Sequence, residues 1–596
     1  MYIQRVQIEN FRNFKEADVF LGNQMVVVGE NKIGKTNFLY AMRLILDPSL
    51  PDSARQLQES DFWDGLPRPI NDVRIKISID LTDFETNTDL KAILGDYLVA
   101  VNPLVARLTY EFYPVSREDG LAKTLNDYEF LIYGGDNREN KIGYDVRKRI
   151  PFEILHALRD AESDLSIWKK SPLKPLIENA ISKISRSDLK EVAGEISAAT
   201  DSLKDLGEIK NLAENINNQL IDIVGTSHNI ETSLGFSPSD PDKLYRAIRM
   251  FIDGGNRGIG EASLGSANLL YLVLKSLQLE QLVSENNRNH TFLAIEEPEA
   301  HLHPHIQRLV YRYLLQTRQL DDTNKTLNNN VTNILTTHSP HIISVAPLKS
   351  IVLLKQSEEH IATEVVSTVN IELPDKDIDD LERYLNVTRG ELLFSKGILL
   401  VEGDAEEFLI PVLAKLNGLD LDELGITVCS VSGTNFMPYV KLLGEKCLNI
   451  PFAILTDLDP KEDGKHLGHN RVRKLLSEIM KPEEYSEYSL DELLKLASNY
   501  GIFMNNYTLE IDLFNSGRHI SMCDTIIELS ENGAAKKRAK EWRREKCFNA
   551  DEKQFLKDIE GIGKGRFAQR LASNFQNKKA IPPYILEALE YVKERV

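Results

Sequence analysis

Apolar and polar positions divide the chain into stretches of different grammar. Residues 2–11, YIQRVQIENF, alternate as in a half-buried strand, and MVVVG (25–29) is a short apolar run ending at glycine, as in a buried one. Strand-like runs recur at VRIKISIDL (73–81) and RLTYEFYPV (107–115). From about 152 to 232 the pattern turns helical and polar, starting EILHALRDAESDL and continuing LKPLIENAISKI. TFLAIEEPEAHLHP and TNILTTHSPHII then return to strand-then-loop order. LNNNVT (327–332) reads as an exposed loop, IELPDKDIDD (371–380) as a linker, and a second α/β segment follows from about 390. The predicted organisation is α/β throughout: residues 1–151 and 246–370 as two parts of one domain, a helical insertion at 152–245, and a separate domain at 390–596. A chain of 596 residues is long enough for this, since a domain typically takes about 100–200.

Charge changes the picture. Ninety acidic residues stand against 71 Lys and Arg, a net −19. A field of that sign repels nucleic acid, so any such partner requires a local basic patch or bound cations. No apolar run approaches the ~20 residues of a membrane span, and MYIQRVQIENFRNF lacks the apolar centre of a signal peptide. A cytoplasmic location with no membrane partner is the expectation. Cys429, Cys447, Cys523 and Cys547 form no C-x-x-C pair and read as free thiols.

Candidate chemistry begins at Gly29–Thr36, a G-x-x-x-x-G-K-T loop between a predicted strand and a predicted helix. Backbone N–H groups of such a loop cradle phosphates, the lysine reaches the β/γ-phosphates and the hydroxyl ligates Mg²⁺. The expected nucleotide contacts are Gly29, Asn31, Gly34, Lys35, Thr36 and Asn37. FLAIEEPE supplies acids on another strand: Glu296 for the Mg²⁺ shell and Glu297 to position or deprotonate water. His338, after an apolar strand, is a candidate contact for the γ-phosphate, although a single histidine is more often structural.

The order of these pieces resembles the ABC-type ATPase heads of RecF, SMC and OLD (overcoming lysogenization defect) proteins, and FRNF (11–14) resembles the opening of those heads. The resemblance implies that ATP binds with Mg²⁺ and that a signature segment completes the partner subunit's ATP site, making a homodimer or higher homo-oligomer. SLGSAN (263–268) stands at the signature position, with Ser263 and Gly265 as its phosphate contacts, and departs from the usual L-S-G-G-Q.

Two further apolar runs end in acids. Ile398–Val401 stops at Glu402, and Asp404, Glu406 and Glu407 follow at once; residues 452–455 stop at Asp457, with Asp459 two positions on. Two strand ends carrying carboxylates can face each other at the C-terminal edge of a parallel sheet and hold hard cations through oxygen. The pair resembles the Toprim domain of topoisomerases, primases and OLD nucleases. The resemblance implies metal ligation by Glu402, Glu406, Asp457 and Asp459, with Glu510 or Asp512 from NNYTLEIDLF and a functional lysine, Lys564, from IGKGRFAQRLA. Mg²⁺, Mn²⁺ or Ca²⁺ would then serve phosphodiester hydrolysis on DNA. KKRAKEWRREK (536–546), with seven basic and two acidic residues around Trp542, is a candidate phosphate grip or a solvated helix face.

The leading expectation is an ATP-regulated, metal-dependent DNA endonuclease acting in phage defence, in some systems beside a helicase or reverse transcriptase. The alternatives are a RecF- or SMC-like clamp whose Toprim acids are structural, and topoisomerase or primase chemistry on the Toprim core.

Overall fold

The computed structural model describes residues 1–596 apart from 116–126, 158–160, 205–206, 225–247, 249, 253–255, 317–329, 358–360, 386–388, 461–465, 482–483, 486, 546–550 and 576–580. Along the first 155 residues run β1 (Tyr2–Phe11), β2 (Phe14–Phe20), β3 (Met25–Gly29), β4 (Ile75–Thr82), β5 (Leu98–Val101), β6 (Leu104–Pro114), β7 (Tyr128–Gly134) and β8 (Phe152–Leu155). Most build an antiparallel sheet in the order β2-β1-β4-β6-β5, with β7 also on β6. β1 alternates as its sequence does, burying Val6 and Ile8 opposite Ile79 and Ile77.

β3 and β8 belong to a second sheet. After a short ribbon of β9 (Phe251–Ile252) and β10 (Arg257–Gly258), that sheet is completed by β11 (Thr291–Glu296), β12 (Val331–Thr337), β13 (Ile351–Gln356) and β14 (Thr363–Ser367). Its order is β14-β13-β3-β12-β11-β8; β8–β11, β3–β12 and β3–β13 pair in parallel, β13–β14 antiparallel. β3 is central and wholly buried, as its continuous apolar run requires. The Lys35–Leu46 helix covers it, and Phe38 and Met42 join Phe11, Phe14, Ile77 and Tyr110 in one core.

Three expectations change. Phe152–Leu155, read as the start of the helical stretch, is a strand: Phe152 is fully buried and pairs with β11, and tertiary pairing overrides the local pattern. Among the described residues the first helix of that stretch is Ala161–Ser166. Val331 and Thr332, read as loop, open β12, while 327–329 lie outside the described residues. Half of the expected linker is the helix Asp375–Tyr384, started by Pro374 and by acids in its first turn, which suit a helix N-terminus.

The chain forms two compact units, Met1–Leu155 with Phe292–Glu299 and Pro304–Val596, and His156–Thr291 with Ala300–His303. The second is helical. It holds Arg186–Lys204, Gly207–Val224 and the long Leu264–Ser284 helix, with a small core of Leu165, Ile259, Ala267 and Leu274.

Within the first unit a four-stranded parallel sheet follows: β15 (Gly397–Val401), β16 (Ile426–Ser430), β17 (Phe452–Thr456) and β18 (Ile502–Met504), in the order β16-β15-β17-β18. The Pro583–Lys593 helix packs on β15, β17 and β18, and its Leu589 and Val592 share a core with Leu399, Val401 and Leu455. Lys355 on β13 donates to the Asn449 carbonyl, tying this sheet's surroundings to the N-terminal one. Among the described residues no helix is long and apolar enough to cross a membrane.

Candidate active sites

The loop after β3 is braced from below. Gly34 caps the Lys35–Leu46 helix at φ 109°, and a Cβ there would run into the Asn13 amide, so both backbone and space demand glycine. Asn13 Nδ2 donates to the Ile33 carbonyl (2.9 Å), Asn37 Nδ2 donates to Asn13 Oδ1 (2.7 Å), and Arg12 Nη1 donates to Asn37 Oδ1 (2.7 Å). Arg12 and Asn13 of FRNF therefore prop the loop, and Asn37 is engaged in that brace. Asn31 and Thr36 are exposed.

Lys35 is buried. Its Nζ donates to the carbonyls of Gly29 and Glu30, both at 2.9 Å, and lies 3.2 Å from His338 Nδ1. Burial draws this ammonium down to about 8. Lysine can only donate, so His338 Nδ1 accepts, which leaves Nε2–H facing Glu297 Oε1 at 3.3 Å. Burial, and next the Lys35 charge, hold His338 below its ordinary value, consistent with a neutral ring. Glu297 adopts φ 45°, and its N–H donates to the Thr336 carbonyl (2.9 Å), which ties the exit of β11 to β12. Glu296 is buried at the end of β11.

A third acid of EEPE does work that the sequence reading missed. Glu299 accepts from Thr337 Oγ1 (2.6 Å), Tyr311 Oη (2.8 Å) and the His338 N–H (3.2 Å), so it fixes the backbone that presents His338. In the helical unit, Ser263 caps the Leu264–Ser284 helix, its Oγ accepting from the Ser266 N–H (3.2 Å), and Gly265 lies against the His301 carbonyl.

The second constellation lies at the C-terminal edge of the four-stranded sheet. Glu402 follows β15 and Asp457 follows β17, and these strands are neighbours, so the two carboxylates meet. Glu402 Oε1 accepts from Thr456 Oγ1 (2.6 Å), the Asp457 N–H (2.8 Å) and Arg471 Nη1. Asp457 Oδ1 accepts from Asn505 Nδ2, and Asn505 Oδ1 accepts from the Leu458 N–H (2.8 Å). Asp459, at φ 49°, accepts from Arg471 Nη2 (2.8 Å). Glu406 lies in the first turn of the Asp404–Leu416 helix, against which the Lys564–Asn574 helix packs. Lys564 Nζ is 3.3 Å from Glu510 Oε1, and the other Glu510 oxygen is buried without a hydrogen-bond partner. Asp512 Oδ2 instead accepts from the Asn506 N–H (2.9 Å) and holds a loop.

Crowding shows in the acidities. Burial, reinforced by Glu406, Glu402 and Glu510, raises Asp457 well above the usual carboxylate range. Burial raises Glu406 to about 7, and raises Glu402 as well. Burial works against the Lys564 charge, but Glu510, Asp457 and Glu406 outweigh it and keep this ammonium above its ordinary value. Among the described residues no three Asp, Glu, His or Cys side chains converge on one ion-sized point; the chain's own Arg471 and Lys564 stand among the acids. Oxygen donors, one of them buried and unpartnered, fit hard divalent cations in type, and a cation would relieve the crowding.

A family model described as the AAA ATPase domain matches residues 1–133 and 123–343, more than half of the chain. A second, the overcoming lysogenization defect protein-like Toprim domain, matches 393–459. The chain belongs to the AAA ATPase domain family and carries an OLD-like Toprim segment. Over 518 residues it is 24% identical to the endonuclease GajA of Bacillus cereus (strain VD045), covering 82% of this chain and 81% of that protein. It is 24% identical over 483 residues to the OLD nuclease of Thermus scotoductus (strain ATCC 700910 / SA-01), covering 77% and 82%. Among solved structures, the C-terminal region of the Burkholderia pseudomallei OLD protein is similar at 45% identity, covering 34% of this chain and 98% of that one, with a TM-score of 0.32.

The basic stretch at 536–546 is partly consumed by the chain's own fold. Trp542, on the Gly533–Glu545 helix, is buried edge-on against Phe555 in the Toprim core and offers no surface for stacking. Arg538 pairs with Asp558 and Arg543 with Asp524. Lys537, Lys540 and Arg544 are exposed.

Proposed function

We propose that this protein is a divalent-metal-dependent DNA endonuclease whose Toprim domain hydrolyses phosphodiesters under the control of ATP bound at its N-terminal domain. The observation that carries the reading is the pair Glu402 and Asp457 at neighbouring strand ends, with Glu406 and Glu510 near enough to raise Asp457 and with Lys564 beside Glu510. Glu402, Glu406, Asp457, Asp459 and Glu510 are the residues that would hold cations, which supply an activated water and neutralise the leaving oxygen when bound. Lys564 is set to neutralise a phosphate oxygen, and Asn505 keeps Asp457 aimed. At the nucleotide site Lys35, Thr36 and Glu296 serve ATP and its Mg²⁺, and His338 holds Glu297 in reach of a water at the γ-phosphate. Similarity to an endonuclease and to an OLD nuclease supports the reading. Assembly as a homodimer or larger oligomer, action in the cytoplasm in phage defence, and a helicase or reverse-transcriptase partner accompany it through the family resemblance.

Supercoiled plasmid incubated with Mg²⁺ or Mn²⁺, with and without ATP, tests this. Nicking or linearisation that disappears in Glu402→Ala supports the nuclease, and Lys35→Ala then reveals the direction of ATP control. ATP hydrolysis without cleavage under any metal supports the second reading, an ATPase clamp with structural Toprim acids. That reading draws on the ion pairs by which Arg471 neutralises Glu402 and Asp459 without a metal.

A further inference from the structure

Arg471 is not a surface arginine that happens to lie near acids. Its side chain is only 11% exposed. Nη1 donates to the Glu402 carboxylate, to the Thr456 hydroxyl and to the Asp457 carbonyl (3.1 Å), while Nη2 donates to Asp459 Oδ2 (2.8 Å). One guanidinium thus joins carboxylates that arrive on two different loops, using the fork geometry that a single ammonium lacks.

The backbone holds it there. The Leu467–Ile479 helix starts against the loop carrying Asp457 and Asp459: the Gly468 N–H donates to the Leu458 carbonyl (3.0 Å), and a Cβ at Gly468 would run into the Asp457 carbonyl. Arg471 follows three residues later, on the same side of that helix. Close approach of the helix start therefore delivers the guanidinium to the acids. Nearby, Glu510 keeps a buried carboxylate oxygen without a hydrogen-bond partner, an acceptor that this cation does not serve.

We propose that Arg471 is a built-in counter-ion that competes with the divalent cation for Glu402 and Asp459. It must withdraw from at least one of them when metal binds, and in doing so it lowers the site's metal affinity. The resting site is charge-compensated by the chain itself, and metal occupancy becomes a displacement rather than a simple capture. This inference rests on the metal-dependent reading above.

The test measures Mn²⁺ binding to the full-length protein by titration calorimetry, for wild type, Arg471→Gln, Arg471→Lys and Glu402→Gln, with melting temperatures in EDTA alongside. Displacement predicts that Arg471→Gln binds Mn²⁺ about ten-fold more tightly, the effect of removing one competing charge. Its metal-free melting temperature falls, and Mn²⁺ raises that temperature by more than in wild type. Arg471→Lys, which keeps the charge but loses the fork, lies between the two and carries the test if Arg471→Gln does not fold. Mn²⁺ affinity unchanged or weakened in folded Arg471→Gln and Arg471→Lys, with binding still abolished by Glu402→Gln, overturns the counter-ion and leaves the metal reading standing. No Mn²⁺ binding by any of the four proteins overturns both.

Discussion

The nucleotide site and the Toprim site are built by the same device and balance charge in opposite ways. Each places acids just beyond parallel strands, and each has one acid in a left-handed backbone conformation, Glu297 at φ 45° and Asp459 at φ 49°. Such residues carry strain of about 1–3 kcal/mol, which the surrounding contacts must overcome. At the nucleotide site Glu297 is met by His338 and Glu299 by hydroxyls and an N–H. At the Toprim site burial pushes Asp457 and Glu406 toward protonation, and Arg471 and Lys564 supply the remaining compensation. The acids of the first site meet a histidine, hydroxyls and an N–H; those of the second are crowded together and meet two cationic side chains.

Substitutions that touch one site alone test this contrast most strongly. Asp457→Asn should reduce plasmid cleavage by about a thousand-fold while ATP hydrolysis stays within about two-fold, because the change removes one carboxylate of the proposed cation site and nothing near Lys35. Equal loss of both activities would mean that the sites are one machine. Glu299→Gln should slow ATP hydrolysis by about ten-fold, since the amide can no longer accept from Thr337, Tyr311 and His338 with full charge, and should leave Mn²⁺ binding to the Toprim site unchanged.

Proton linkage separates the sites next. Glu406 titrates near 7 in the folded protein against an ordinary value of 4.5. A raised carboxyl contributes stability that is fully present below the ordinary value and lost as pH rises through about 7, so melting temperature in EDTA should fall across that interval. Cation binding needs the carboxylate, so Mn²⁺ affinity should rise by up to about ten-fold per pH unit below 7 and level off above it. Glu406→Gln should flatten the fall in EDTA. The smallest effect is expected at the loop brace: Asn13→Ala should cost about 1 kcal/mol and weaken ATP binding a few-fold, measured with a fluorescent nucleotide analogue, without altering Mn²⁺ affinity.

What could be read from the sequence was whatever local spacing encodes. The loop from Gly29 to Thr36, the acids at the ends of β11, β15 and β17, and the buried character of β3 are all written within a few residues. What could not be read depends on contacts distant in sequence. Asn13 reaches Thr363, 350 residues away; Arg471 reaches Glu402, 69 away; Asn505 reaches Asp457, 48 away. Asn13 and Asn505 lie inside segments read as motifs, FRNF and NNYTLEIDLF, but no local pattern names their partners, and Arg471 lies in no motif at all. Phe152–Leu155 looked helical because its strand character comes from β11, far along the chain. The stretch around Trp542 reads as a phosphate grip or a solvated face because its residues are basic, but Phe555 shows that the indole faces the core.

The helix Pro583–Lys593, laid across β15, β17 and β18, sets a timetable. The acids of the Toprim site emerge from the ribosome from residue 402 onward, and Lys564 more than 150 residues later. The apolar face of the sheet that aligns them stays uncovered until Leu589 and Val592 have also been made. A chain still in synthesis therefore has the acids in its sequence but no closed core to hold them in register. The sheet edge that carries Glu402 and Asp457 is thus completed by residues almost 190 positions after the first of them.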